Sequence, residues 1–292
     1  MPTGGGTFTT QNKILPGAYI NFVALGSVPK VGARGVAALP LELDWGPENR
    51  VFALEAAEFN QVAMKVLGHD PMATELLLIR EAMKRAKTLL VYRVNSGGQK
   101  ATASVGGMTV TATWGGTRGN ALSVAILANA DDTANVDVVT YLDGAAVDTQ
   151  TVAKSAGTAG LKANDYVSFG TAAALSVAVE AALTGGTNGT VNGAAHVAAL
   201  EAFEVEIFQA IGYPGTDDTV KALYAAYVKR LRDDEGKKVS GVLYQQNGDY
   251  MGLINVKNGV VLADGTTVTG DKAVAWVTGA TAGAEINESL TN

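Results

Sequence analysis

Between residues 217 and 235, hydrophobic positions recur at helical spacing. Val220, Leu223, Tyr224, Tyr227, Val228 and Leu231 form one stripe, which predicts a helix. Asp217 and Asp218 suit its positive N-terminal end, and Lys229, Arg230 and Arg232 suit its last turns. Gly236 stands where a left-handed residue ends a helix. The apolar runs on either side, 203–211 and 239–244, read as strands. Strand, helix and strand in succession imply parallel pairing with a right-handed crossover. Upstream, 35–43 (GVAALPLEL) reads as a strand, and Pro40 places it at an edge or an end. Residues 54–67 read as a helix, with Phe59, Val62, Ala63 and Val66 on one face and Gly68 as the stop. A second helix is predicted from Asp70-Pro71 to about Lys87, followed by a buried strand over 89–94 (LLVYRV). A further helix starts at 194–202.

From 96 to 193 the pattern changes to short runs rich in Ala, Val, Thr and Gly, with few charges. Strands are predicted over 101–105, 108–114, 122–128, 136–142 and 147–153, about 8–12 residues apart, as all-β units are built. Leu142-Asp143-Gly144-Ala145 predicts a hairpin turn. Residues 172–183 read as a short helix. After Tyr244, short strands are predicted over 250–256 and 260–262; 271–278 fits a strand or a helix, and 279–284 a loop. The fold class is therefore mixed α+β and α/β: an α/β core carrying an inserted β-sandwich-like domain and an extended N-terminal arm. The expected division is arm and linker 1–34, first part of the core 35–95, insertion 96–193, and second part of the core 194–292.

The arm follows from residues 14–23, ILPGAYINFV, which are apolar and aromatic although Pro16 and Gly17 forbid a helix. An extended segment this hydrophobic must pack on something. It is either an edge strand of its own domain or an arm that adds a strand to a neighbouring subunit.

Composition narrows the chemistry. Of 292 residues 47% are hydrophobic and 17% charged, with a net charge of -6. Clustered Lys and Arg of the kind phosphate contacts require are missing, so no nucleic-acid partner is expected. With no cysteine, thiolate metal sites, disulfides and cysteine nucleophiles are excluded. No apolar run reaches the ~18 residues of a membrane span, and the N-terminus has no signal-peptide pattern; a cytoplasmic product without membrane insertion is expected.

Candidate chemical sites are few. His69 beside Asp70 reads as a surface or capping histidine, and His196 opens a helix with only Glu201 and Glu204 near in sequence. GTTVTGDK at 265–272 resembles a phosphate loop, but Asp271 stands where that motif needs lysine. Asp217-Asp218 lies after a strand at a helix start, where ligands bind in doubly wound folds; helix capping accounts for both residues. No catalytic, cofactor or metal site is assigned.

Several phrases resemble one family, the tail sheath proteins of contractile bacteriophages, in the form found in phages and phage-derived particles of Gram-positive bacteria. They are 5–23 (GGTFTTQNKILPGAYINFV), 35–48 (GVAALPLELDWGPE), 117–120 (TRGN), 138–144 (VVTYLDG), 183–189 (LTGGTNG), 203–232, and 275–292 (AWVTGATAGAEINESLTN), in the family's order. The resemblance implies a structural subunit, not an enzyme, stacked in helical rings around an inner tube that contraction drives through a target envelope. It implies partners in copies of itself, the inner tube protein, and baseplate and tail terminator proteins. It maps the family's linking arm onto about 4–23, with Phe8, Ile14, Leu15, Pro16, Tyr19, Ile20 and Phe22 as its contact residues. Sheath proteins of this type continue beyond the closing phrase, so a chain lacking the family's C-terminal region is expected. The alternatives are another virion subunit (tube, capsid or surface layer) or an α/β enzyme with a site near Asp217 and Asp218.

Overall fold

A computed structural model describes residues 35–285. The core opens with β1 (Val36–Leu41), β2 (Val51–Glu55), α1 (Phe59–Leu67), α2 (Leu77–Met83) and β3 (Thr88–Arg93). The insertion holds β4 (Thr102–Val105), β5 (Met108–Ala112), β6 (Leu122–Ala128), β7 (Asn135–Leu142), β8 (Ala145–Ala153), β9 (Val167–Phe169) and β10 (Ala178–Ala182). The core resumes with α3 (Gly193–Glu204), β11 (Ala210–Tyr213), α4 (Asp218–Asp233), β12 (Ser240–Tyr244) and β13 (Leu253–Val256). The ribbon β14 (Val260–Val261) and β15 (Thr267–Val268) precedes α5 (Gly270–Gly283).

The core sheet runs β13-β12-β11-β1-β3-β2, all parallel except the antiparallel edge strand β2. The chain winds from β1 outward to β3, then returns to β11 on the other side of β1, which makes the sheet doubly wound. Alternation along each strand feeds two cores. Ala37, Leu39, Leu89 and Val91 pack with α1, α2 and α5 on one face. Ala38, Leu90, Tyr92 and Ile211 pack with Phe203, Tyr224 and Val228 of α3 and α4 on the other. Helices on both faces explain why β1 and β3 are apolar runs and not alternating ones.

In the insertion, a three-stranded sheet, β4-β5-β9, and a four-stranded sheet, β10-β6-β7-β8, share one core. Leu122, Val124, Ile126, Val136, Val138, Met108 and Val110 fill it. Burying each such side chain contributes about 1.5–3 kcal/mol. The predicted hairpin joins β7 to β8 with Asp143 at φ 52° and Gly144 at φ 76°. A two-residue turn matched to strand twist needs positive φ at both positions.

Several expectations are corrected. The strand expected over 203–211 is the last two residues of α3 and then a loop over 205–209; β11 is only Ala210–Tyr213. Phe203 is a helical core residue, packed edge-on against Tyr92 and Phe208, and alternating aromatic and β-branched residues imitated a strand. The helix expected from 54 starts at Phe59, because residues 51–55 satisfy β3 as its edge partner. The helix expected from Asp70 begins later. The Asp70 carboxylate accepts from Met72 N at 2.8 Å and closes a local turn, and α2 spans only Leu77–Met83 after a short 3-10 turn. The alanine-rich stretch 172–183 is not a helix: β10 pairs antiparallel with β6, whose open edge needs main-chain partners. Pro40 lies in a central strand, near its end. The Val36 carbonyl bonds to Gln209 and the Leu41 carbonyl to Val94, so backbone alternation turns the Pro40 nitrogen toward β11, beyond the last paired residue, Ala38.

The expected loop 279–284 is the last turns of α5. A Cβ on Gly279 would lie 2.0 Å from the Ala82 carbonyl oxygen, and one on Gly283 1.9 Å from that of Arg85. These glycines let α5 touch the backbone at the end of α2, a gain that offsets their low helix propensity.

Candidate functional site

Each candidate residue takes its place from this framework. Asp217 is the N-cap of α4 and accepts from Thr219 N at 2.8 Å and Val220 N at 3.0 Å. Those backbone bonds hold its carboxyl below the usual range. Asp218 is exposed and pairs with Lys221 at 2.6 Å, one turn along the helix. Both carboxylates are thus engaged in starting the helix. The topological switch between β1 and β11, where doubly wound sheets hold ligands, is covered by α5. A Cβ on Gly212 would fall 2.0 Å from Thr278 Oγ1 and 3.0 Å from Val274 Cγ1. Asp217→Ala with Asp218→Ala is therefore expected to leave the fold intact with a modest drop in melting temperature; a collapse in thermal unfolding would show a larger role.

The stretch 265–272 forms β15 and the first turn of α5. Asp271 accepts from Thr269 Oγ1 at 2.5 Å, and Lys272 Nζ turns away to the Pro214 carbonyl at 2.9 Å. Among the described residues, no group of three or more His, Asp or Glu is placed to hold a metal, and no helix is long and apolar enough to cross a membrane.

His196 is buried on α3, packed edge-on against Tyr213 and Tyr224, with Nδ1 3.3 Å from the Tyr224 hydroxyl. Tyr213 and Tyr224 stack on each other. Burial lowers the His196 pKa from 6.5, opposed by the nearby Asp217 charge, and burial also raises Tyr224 well above 10. A folded-state pKa below the unfolded value means that protons bind the unfolded chain better. Stability from this site is full above about pH 6.5 and falls as pH drops toward the folded pKa. In urea unfolding from pH 7.5 to 5.5, the native protein is expected to lose stability more steeply than His196→Phe. Parallel curves would remove His196 as the cause.

His69 is not a surface residue. It is buried, with Nε2 2.8 and 3.0 Å from the two carboxylate oxygens of Asp44. Sequence distance hid this pair, which belongs to a neck joining core and insertion. There the backbone segments around 44–46, 94–99, 114–118 and 185–189 approach one another closely. A Cβ on Gly98 would be 1.9 Å from the Thr187 oxygen, on Gly189 1.9 Å from that of Ser96, and on Gly116 1.9 Å from that of Asp44. A hydrogen bond crosses the neck from Gly189 N to Asn95 O at 3.1 Å, and those from Thr187 N to Gln99 O at 3.1 Å and Asn120 Nδ2 to Gly186 O at 2.9 Å brace the insertion's side of it. These glycine-rich connections are closely packed.

Arg93 stands at the centre of the neck. It is fully buried, and its Nη1 donates to Gly115 O at 2.7 Å, Glu48 Oε1 at 3.2 Å and Gly46 O at 3.3 Å. Its Nε reaches Asn95 Oδ1 at 3.3 Å, and Nη2 has no partner among the described residues. Burial lowers its pKa, with Glu48 and Asp44 opposing. Trp45, from the loop after β1, is buried in the insertion's core. Arg118 donates to Gly68 O at 2.5 Å and grips Asp143 with both terminal nitrogens. Sequence reasoning did not single out these residues. The available signal was a lone arginine in a run of buried aliphatics, LLVYRV, and a tryptophan in a turn.

The arm residues Phe8, Ile14, Leu15, Pro16, Tyr19, Ile20 and Phe22 lie outside the described residues.

Comparison with known proteins gives consecutive matches along the chain. Residues 34–94 match the N-terminal region of tail sheath protein Gp18 domain III, 96–188 the phage tail sheath protein beta-sandwich domain, and 189–292 the phage tail sheath protein central domain. The phage-like element PBSX protein XkdK of Bacillus subtilis (strain 168) is 40% identical over 308 residues, and the uncharacterized protein YqbK of the same strain is 42% identical over 309. Each alignment covers 98% of this chain and 65% of the relative, so the chain spans less than two thirds of their length. A sheath tail protein from Desulfitobacterium hafniense superposes with a TM-score of 0.84 at 49% identity, over 94% of this chain and 64% of that one. One from Listeria innocua gives 0.79 at 38%, over 89% and 59%. Ordered matches to three sheath domains, together with this structural likeness, establish that the chain belongs to the phage tail sheath protein family.

Proposed function

We propose that this chain is a structural subunit of a contractile tail sheath, assembling in helical rings around an inner tube and shortening to drive the tube through a target envelope. The observation that carries this reading is the likeness of core and insertion together to the Desulfitobacterium hafniense sheath tail protein, at TM-score 0.84. The subunit works by packing and not by catalysis. Its place is the virion tail or a phage-like particle, after synthesis in the host cytoplasm. Its partners are copies of itself, the inner tube, and the baseplate and terminator proteins at the ends.

In this reading 1–34 is the arm and linker, 35–95 and 194–292 form the core, and 96–193 is the insertion. An arm that adds a strand to a neighbour forms many main-chain hydrogen bonds while its linker bends. Rings then rotate without dissociating. Contraction is a shift between two packings of rigid subunits, and the closely packed neck supports movement of core and insertion as one body. Electron microscopy of the concentrated protein is expected to show wide helical cylinders or stacked rings, formed equally well with a chelator and without nucleotide. Dispersed monomers at every concentration, or a narrow tube, would refute the proposal.

A further inference from the structure

We propose that the loop between α3 and β11 of one copy seats in an apolar cleft on a second copy. This inference rests on the self-assembling reading above and specifies one of its contacts. Val205 and Ile207 in that loop are 84% and 83% exposed, with Glu206 between them. The loop is anchored at both ends. Phe203 and Phe208 on either side are buried and meet edge-on with ring centroids 6.2 Å apart, and Glu206 N bonds to Phe203 O at 3.0 Å. Two large aliphatic side chains are thus presented to solvent with little ordering left to lose on binding.

The cleft lies between α1, α2 and the β14–β15 ribbon, with a volume of about 480 Å³. Phe59, Leu77 and Met83 line it with Leu262, and Met72 stands at its mouth, 74% exposed. Two cations and two acids line it. Lys84 bonds Glu81 at 2.6 Å and lies near Asp264, the other acid lining the cleft. Arg80 donates to the Pro71 and Ala73 carbonyls and has no carboxylate partner among the described residues. Glu206 likewise has no ion-pair partner among them. An apolar pair flanking a carboxylate without a cation partner matches an apolar cleft whose Arg80 has no carboxylate partner among the described residues. α1 and α2 cover one face of the core sheet and α3 the other. The contact therefore joins different parts of two copies, and a contact of that kind propagates into rings or helical filaments.

The chain has no cysteine, so single-cysteine variants give a clean test. Assembled protein mixed from Ile207→Cys and Met72→Cys chains, treated with a short bis-maleimide, is expected to yield a cross-linked dimer that neither variant gives alone. Ile207→Asp is expected to keep its unfolding curve and to weaken self-association at least tenfold by sedimentation. Assemblies without the mixed cross-link, or Ile207→Cys cross-linking equally well alone, would overturn the docking while leaving the sheath reading intact. Absence of any assembly would overturn both.

Discussion

Replacing Arg93 by methionine is expected to destabilise the protein by about 3–5 kcal/mol, the range for removing one partner of a buried ion pair. Methionine keeps much of the apolar stem, so the loss isolates the guanidinium. Glu48 and the carbonyls of Gly46 and Gly115 would lose a fully buried donor. Arg93→Lys is expected to recover only part, because one ammonium cannot span Asn95, Glu48 and two carbonyls as the planar fork does. Adding Glu48→Gln to Arg93→Met is expected to restore some stability by removing the stranded charge, a non-additivity that marks direct coupling. Urea unfolding followed by tryptophan fluorescence reads both effects, since Trp45 is buried in the neck. A loss below about 1 kcal/mol would mean the pair is no stronger than an exposed one.

Deleting residues 1–23 is expected to abolish linkage between subunits while the described core keeps its thermal unfolding transition. The deleted stretch contains Phe8, Ile14, Leu15, Pro16, Tyr19, Ile20 and Phe22, the residues proposed to join a neighbour. The first described strand needs no partner from them: β1 has β3 on one side and β11 on the other. Sedimentation would show the loss of assembly, and calorimetry the retained fold. If the deletion unfolds the core, the segment is an internal strand and the arm reading is wrong.

Much of the fold was legible wherever the signal is local. The helix α4, with Asp217 before it and Gly236 at φ 69° after it, follows from spacing and termini. The parallel pairing of β11 and β12 follows from the elements either side of α4. Five insertion strands and the Asp143-Gly144 turn follow from alternation and turn chemistry. The candidate site was less legible. Asp217 could be recognised as a cap because its partners, Thr219 and Val220, are two and three residues away. His69 could not be paired with Asp44, 25 residues away, nor Arg93 with Gly115, 22 residues away in another domain.

By itself, then, the sequence determined what a few neighbouring residues settle among themselves: period, caps, turns that need positive φ, and an insertion of different pattern. The tertiary structure alone decided what depends on a distant partner. The alanine-rich stretch at 178–182 is a strand because β6 offers an unpaired edge. Gly279 and Gly283 belong to a helix because the Ala82 and Arg85 carbonyls lie against them. The glycine-rich crossings form a closely packed neck because four backbone segments converge there around a buried arginine. In each case the residue's own preference is worth about 1 kcal/mol or less, and burial with a distant partner is worth more.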